Sequence, residues 1–396
     1  MPQHNLASRA KNGAKPPARA SLAAQLGRNP HFLTILALAC LFLILASLAL
    51  AVIFLRDSAP RARQLAETAT RAGRWPEALS RWRIVNASDK ADSFSFLQEA
   101  KACLALGRAG QAARALEQSS AIDPSQVEPW LIRLEITRIE NRLPDAISLG
   151  QRALAAVSPT GQREILRGLT LALLAEAPDD LARATLQRWI DADPTDLNAR
   201  AALERRRSEN PRSSDPHVAQ RRAALERLVA QFPSHVGLRE SLVLVLAEAG
   251  DPANGRLVLD AWPPQLRDAR YHRLRGRWDL EYDNNPRAAE QSLKQALVAL
   301  PHDTKTRYRL ARALQATGQF EDARQVSATD TRIREILEPV RLARRLDGDL
   351  ANLDDPSSRK DLAELCQSVG LINLAQAWRA DAKRENGPKN QHIMTK

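Results

Sequence analysis

Four positions recur along most of the chain with a period of 34 residues. Each set begins with Gly or Asn, has a small residue five positions later, and then has mostly apolar residues four and seven positions beyond the small one. Two runs of three sets keep this spacing, starting at Gly73, Gly107 and Asn141 and again at Gly250, Asn284 and Gly318. A displaced set contains Ala182, Leu186 and Trp189, and a last set starts at Gly370. Periods of 20–50 residues are typical of stacked supersecondary units.

The spacing predicts that each unit is a pair of antiparallel helices. Residues four and seven apart share one helix face, and Gly or Asn supplies the left-handed conformation that ends a helix. Pro after Asp, as at Asp123-Pro124, ends the second helix and starts the next pair. Aromatic residues make up only 4% of the chain and there are 16 glycines, which argues against a sheet protein. A single pair cannot bury its apolar face, so we expect an all-α, quasi-one-dimensional stack.

These units resemble the tetratricopeptide repeat (TPR). The matching first-helix residues are Leu65-Ala66, Phe96 with Ala100, Trp130, Leu242-Val243, Leu310-Ala311 with Leu314, and Leu362-Ala363 with Cys366. The resemblance covers roughly residues 58–386 and departs from the family pattern at about 158–231. It implies a TPR-like helical-hairpin solenoid, and leaves open whether the stack is one superhelix or two arms, at about 58–206 and 218–386.

A second feature is an uncharged run at residues 33–55 without Gly or Pro. Its 23 residues give roughly 34 Å of helix, enough for a ~30 Å hydrocarbon core. A cleaved signal peptide, with Ala49 and Ala51 at the cleavage site, is the main alternative, but the apolar run continues past that site. A lipoprotein site at Cys40 is a weaker one, because most of the run follows that cysteine. We therefore expect a single uncleaved N-terminal transmembrane helix.

The organisation that follows has six segments. We expect a basic disordered tail at 1–31, a transmembrane helix at 32–55, and about four TPR-like repeats at 56–206. A loop at 207–217 then leads to about four to five degenerate and regular repeats at 218–386, and a disordered tail closes the chain at 387–396. We also expect residues 329–346 to form one long extra helix.

The orientation of the predicted span follows from charge. The short tail carries five cations and no acid before the run: Arg9, Lys11, Lys15, Arg19 and Arg28. More cations lie just after the span, but long domains translocate largely regardless of charge. We expect a bacterial inner-membrane protein with the N-terminus in the cytoplasm and the repeats outside it, while the opposite orientation remains the alternative.

The sequence contains no recognisable catalytic, metal-binding or phosphate-binding motif. The histidines are scattered singly, and neither metal-ligand spacing nor a Gly-rich phosphate loop is present. Cys103 and Cys366 fall at the same repeat position, the eleventh of a first helix, where we expect buried structural thiols. We therefore predict no enzyme activity, no cofactor and no metal.

The formal net charge of +12 does not by itself indicate a nucleic-acid partner. Five charges belong to the tail, which can face the anionic inner leaflet. Nucleic-acid binding requires a continuous basic stripe with stacking aromatics, and aromatics are scarce. The arginine clusters at 221–222, 270–277 and 341–345 are interpreted as solvated helix faces, so we expect no nucleic-acid partner.

The resemblance also implies where a partner binds. In TPR proteins the first helices line a groove for a peptide, and some members grip a terminal carboxylate with Lys and Asn. The positions of that Asn hold other residues here, among them Glu135 and Leu244, so the clamp is absent. The groove candidates by position are Arg138, Trp278, Glu281, Tyr308 and Arg312.

Taken together, these features predict a membrane-anchored scaffold or assembly factor that binds proteins or peptides. The alternative is a membrane-tethered receptor whose repeats lie in the cytosol and read targeting peptides. The sequence leaves the oligomeric state open.

Overall fold

The computed structural model describes residues 30–209 and 216–384, except for the side chains of 30–37, 40 and 48–58. Residues 1–29 of the predicted tail at 1–31, the predicted tail at 387–396 and most of the predicted loop at 207–217 therefore lie outside the described residues. The chain divides into two compact units, residues 1–61 and 62–396.

Nineteen α-helices and one 3-10 turn, with no strand, make up the described residues. Those up to residue 209 are α1 (Pro30–Arg71), α2 (Trp75–Asn86), α3 (Ser93–Ala105), α4 (Ala109–Ile122), α5 (Val127–Ile139), α6 (Leu143–Ala156), α7 (Pro159–Leu174), α8 (Asp179–Ala192) and α9 (Leu197–Glu209). The later ones are α10 (Val218–Gln231), α11 (Val236–Glu248), α12 (Pro252–Asp260), the 3-10 turn (Pro264–Leu266), α13 (Ala269–Glu281), α14 (Pro286–Ala299), α15 (Thr304–Ala316), α16 (Phe320–Ile336), α17 (Pro339–Ala351), α18 (Pro356–Ser368) and α19 (Ile372–Arg384).

The turns between paired helices lie where the 34-residue pattern predicts them. All seven predicted turn residues have positive φ: Gly73, Gly107, Asn141, Gly250, Asn284, Gly318 and Gly370. The small residue five positions later is buried in a helix contact; for example, Ala78, Ala112 and Ala289 are fully buried. The unit from residue 62 onward is thus an all-helical, TPR-like solenoid of hairpins.

The apolar run lies within α1, which continues to Arg71 and contains Pro60. Its described apolar side chains are exposed, among them Leu38, Phe42 and Ile44. Over the described part of the chain, no helix has both the length and the apolar character needed to cross a bilayer.

Two details of the predicted boundaries are wrong. Residues 329–346 do not form one helix, because α16 ends at Ile336 and α17 begins at Pro339. Proline disfavours a helical residue before it, and the Glu338 carboxylate caps the new helix by accepting from the backbone N–H of Val340 and Arg341. Helix α9 also continues to Glu209, three residues beyond the expected end of the first block.

Several arginines that we expected on solvated faces are buried in ion pairs, which corrects that interpretation. Arg205 of α9 pairs with Glu240 of α11 at 3.1 Å, and these side chains are only 4% and 1% exposed. Arg273 of α13 donates to the same Glu240 at 2.6 Å. Arg221 of α10 pairs with Glu204 and Glu248. These side chains connect helices α9, α10, α11 and α13.

Contacts between distant repeats are a further departure from a one-dimensional stack. Arg270 of α13 pairs with Asp145 of α6 at 2.9 Å, and Arg205 donates to the backbone carbonyls of Glu140 and Asn141. One apolar core contains side chains of α5–α7 together with side chains of α16–α19, including Trp130, Leu169, Leu362 and Trp378. The two predicted arms therefore share a core.

Candidate functional site

The first helices α13 and α15 form a surface that carries three of the predicted groove residues. Each helix starts at an aspartate whose side chain caps it: Asp268 accepts from the backbone N–H of Arg270, and Asp303 from that of Thr306. Arg309 of α15 donates to Glu281 of α13 at 2.7 Å and joins the two helices. We call this the α13–α15 surface; its members are Glu281, Tyr308, Arg309 and Arg312, of which Tyr308 and Arg312 are exposed and Arg309 is half-buried.

An aromatic ring and a cation lie together on the α13–α15 surface. Tyr308 is 54% exposed, and the Arg312 guanidinium lies over its ring at 6.0 Å from the centroid. Burial opposes ionisation of Glu281, but Arg309 and Arg277 overcome it and hold the pKa of that carboxyl below its usual range. Since Tyr and Arg are enriched at the centres of protein interfaces, this surface can bind a polypeptide.

Trp278 does not belong to this surface, contrary to the prediction. Its side chain is completely buried, and its Nε1 donates to the backbone carbonyl of Pro252 at 3.0 Å. Gly255 leaves room for the indole, because a Cβ at that position would lie 2.4 Å from the ring. The small residue at the fifth position after the Gly250 turn was the signal that a large side chain packs there.

Arg138 lies apart from the other candidates, in a second site. It lines a cavity of about 520 Å³ together with Leu173, His302, Lys305 and Leu342. Its guanidinium is already engaged, with Glu135 at 2.7 Å and the carbonyl of Ala175 at 3.0 Å. The structure therefore brings three of the five predicted residues onto one surface and places Arg138 elsewhere.

Sequence reasoning missed His302, which is the unusual group of this cavity. The imidazole is 7% exposed, and neither ring nitrogen has a hydrogen-bond partner. Burial lowers the pKa of His302, while the Asp303 carboxylate and the Leu173 backbone oppose that change. A lone histidine after a helix gives no sequence signal of burial, because the cavity forms between segments far apart in the chain.

The two cysteines are buried as predicted. Cys103 and Cys366 are each the eleventh residue of α3 and α18 and are fully buried. Burial raises the pKa of Cys103 to about 11 and that of Cys366 to about 12. Both thiols thus stay protonated and unreactive near neutral pH. The described residues contain no cluster of three His, Cys, Asp or Glu side chains arranged to hold a metal ion.

Comparison with known proteins agrees with this architecture. Residues 282–330 match the family profile described as tetratricopeptide repeat, and no curated protein matches the chain. The fold defines an all-helical protein built of repeated hairpins. Within it, residues 282–330 are similar to a tetratricopeptide repeat.

Three solved structures illustrate the similarity. A tetratricopeptide repeat protein from Parabacteroides merdae is 12% identical, with 65% of this chain and 99% of that chain covered and a TM-score of 0.30. Yeast Tom70 is 11% identical, with 83% of this chain and 76% of the Tom70 chain covered and a TM-score of 0.29. The TPR domain of P58(IPK) is 13% identical, with 84% of this chain and 100% of that domain covered and a TM-score of 0.28. Similarities of this size carry no conclusion about partners.

Proposed function

We propose that this protein is a membrane-tethered scaffold that binds other proteins or peptides through the α13–α15 surface. The observation that carries the proposal is the exposed Tyr308 ring beneath the Arg312 guanidinium, on a first helix that Arg309 ties to its neighbour. An exposed aromatic side chain with a cation beside it offers both apolar contact and charge recognition. The proposal assigns no catalytic residue.

The tether is proposed from the sequence of the N-terminal segment. Residues 33–55 are uncharged, and the described large apolar side chains there, from Leu38 to Leu45, are exposed. Such an apolar surface is costly in water and favourable in a bilayer. The basic tail before it favours an N-terminus in the cytoplasm and repeats on the other side of the membrane.

Affinity capture with the full-length chain in detergent tests the binding role. We expect Tyr308→Ala and Arg312→Glu each to lower capture of a specific partner by about tenfold or more, as for interface hot spots. Arg324→Glu is the matched control, because it makes the same charge reversal at an exposed site on α16. Equal capture by all four proteins would exclude this surface, and no reproducible partner would exclude the scaffold role.

Reporter fusions at each terminus test the tether and its orientation. We expect the chain in the membrane fraction, with an N-terminal reporter active in the cytoplasm and a C-terminal reporter active only outside it. A C-terminal reporter active in the cytoplasm would instead favour the receptor alternative. Recovery of the full-length chain free of membrane would contradict the tether.

A further inference from the structure

A second cavity of about 500 Å³ lies among α4, α5, α6 and the segment that leads into α9. It is separate from the α13–α15 surface and from the cavity of His302. Each of the three helices contributes an arginine to the lining: Arg114 from α4, Arg133 from α5 and Arg152 from α6. We call these three residues the arginine triad.

Two of the carboxylates that line this cavity are already engaged. Asp196 accepts from the backbone N–H of Gly110 at 2.7 Å and from that of Ala199 at 3.0 Å. Asp145 pairs with Arg142 and with Arg270. Asp145 is therefore balanced by its own two arginines, whereas Asp196 keeps its negative charge because backbone N–H groups are neutral. With Arg142, the lining holds four arginines against three carboxylates, of which the third is Glu117.

Arg133 is the least exposed residue of the triad, and its guanidinium lacks part of its hydrogen-bond partners. Its side chain is 14% exposed, and its Nη2 lies 3.5 Å from Glu117. Its buried Nη1 has no hydrogen-bond partner. A buried donor without an acceptor costs about 1–3 kcal/mol, and more when it is charged.

Arg152 of the triad increases this electrostatic cost. The guanidinium groups of Arg133 and Arg152 both lie over the Trp130 ring, at 5.5 and 5.6 Å from the centroid. Burial lowers the pKa of Arg133, and the neighbouring Arg152 and Arg142 lower it further against the opposing effect of Glu117. Among the described residues, Arg114 and Arg152 form no ion pair. The cavity thus holds more positive charge than its own acids balance.

Neutral donors complete the lining. Asn198 contributes a side-chain amide to the wall. The hydroxyls of Thr137 and Thr195 also line it, but they already donate to the Leu134 carbonyl and the Asp193 carboxylate. His235 accepts from the backbone N–H of Leu238 through Nδ1, so its neutral ring carries the proton on Nε2 and remains a donor. An oxyanion in this cavity would meet the three guanidinium groups, the Asn198 amide and Nε2 of His235.

We infer that the arginine triad forms a binding site for a polyvalent oxyanion, of the phosphate or polycarboxylate class. Guanidinium groups match the geometry of both anions through paired N–H donors. A bound anion would accept from Nη1 of Arg133 and offset the repulsion between Arg133 and Arg152. The inference is independent of the proposed scaffold role, since it concerns other helices and another kind of ligand.

Isothermal titration calorimetry with the full-length chain in detergent, at low ionic strength, tests the site. Inorganic phosphate and citrate serve as separate probes of the two anion classes. We expect Arg152→Gln to weaken binding about tenfold, the value of one charged hydrogen bond. Arg152 is exposed, so this variant keeps the fold, whereas Arg133→Gln, at the least exposed residue of the triad, should weaken binding further.

Removal of the negative charge at Glu117 is a control for which we expect the opposite effect on affinity. Glu117→Gln removes the acid that pairs with Arg133, so we expect it to strengthen anion binding severalfold. Arg324→Gln, the same arginine-to-glutamine change at a distant exposed site, should leave affinity unchanged. The inference is overturned if neither probe binds, if Arg324→Gln weakens binding as much as Arg152→Gln does, or if Glu117→Gln weakens it.

Discussion

At the scale of single residues, the turns within the hairpins depend on a left-handed backbone. The seven turn residues have φ between +46° and +86°, a region that costs an ordinary L-residue about 1–2 kcal/mol. This feature was predictable from the sequence because it is local: Gly and Asn are the residues that adopt that conformation readily. Burial of a residue such as His302 depends instead on segments distant in the chain, and no local pattern reports it.

Two of these turns form a matched pair for substitution. Gly250 has no heavy atom within 4 Å of a Cβ added to it, whereas a Cβ at Gly370 would lie 2.9 Å from Cβ of Pro301. We expect Gly250→Ala to lower the free energy of unfolding by about 1 kcal/mol through backbone strain alone. Gly370→Ala should cost distinctly more, because the clash adds to the strain. Urea titrations followed by circular dichroism measure both, and equal losses would contradict the packing at Gly370.

His302 leads to a prediction about pH. Because burial lowers its pKa in the folded protein, the unfolded chain binds more protons below the unfolded value of about 6.5. Stability is therefore full above that value and is lost as the pH falls below it. We expect the thermal midpoint of the wild type to fall more between about pH 7.5 and 5.5 than that of His302→Gln.

The comparison isolates His302 from its neighbours. His235 and His272, whose pKa values are also lowered by burial, are present in both proteins and cancel in the difference. Asp303 and Arg307, the charged groups that act on His302, are likewise unchanged. An identical pH dependence in the two proteins would show that His302 is not buried as a neutral ring.

At the scale of helices, the 34-residue period predicted the hairpins but not every boundary. It placed the turns because each set contains its own Gly or Asn. It failed between Ile336 and Pro339, where a single proline and the Glu338 cap divide the expected long helix. The interpretation of arginine clusters as solvated faces was also wrong for Arg221 and Arg273, because an arginine on a helix does not reveal whether a carboxylate from another helix pairs with it.

One side-chain hydrogen bond tests the packing of two helices that are distant in sequence. Nε1 of Trp378 on α19 donates to Oγ1 of Thr170 on α7 at 3.0 Å, and both side chains are fully buried. We expect Thr170→Val to lower the free energy of unfolding by about 1–3 kcal/mol, because the indole N–H loses its acceptor inside the core. Chemical denaturation measures the loss.

Thr329→Val is the matched control for this substitution. The Thr170 hydroxyl donates to the carbonyl of Leu166, four residues before it. The Thr329 hydroxyl donates in the same way to the carbonyl of Gln325 at 2.9 Å, but among the described residues it accepts no bond from another helix. Its replacement should therefore change stability by no more than about 0.5 kcal/mol. Similar losses in both variants would mean that the bond between α7 and α19 contributes nothing.

At the scale of the unit from residue 62 onward, the repeats are coupled over long stretches of sequence. A one-dimensional stack would let each repeat contact only its neighbours, yet α19 packs on α7 and Arg163 of α7 pairs with Asp381 of α19 at 3.2 Å. Such contacts could not be predicted, since the repeat pattern describes only the interface between successive hairpins. They do imply that the C-terminal helix α19 stabilises α7.

Hydrogen exchange measures this coupling directly. Trp378→Ala removes a large side chain from the core that α7 and α19 share, a change worth about 3–5 kcal/mol. Because local stability follows buried contacts, we expect amide protection to fall in α7 (Pro159–Leu174) as well as in α18 and α19. Trp262→Ala is the control, since Trp262 is equally buried but belongs to the separate cluster of α11–α13. It should lower protection in those helices and spare α7. If α7 keeps its full protection in Trp378→Ala, the repeats behave as a one-dimensional stack despite the contacts between distant helices.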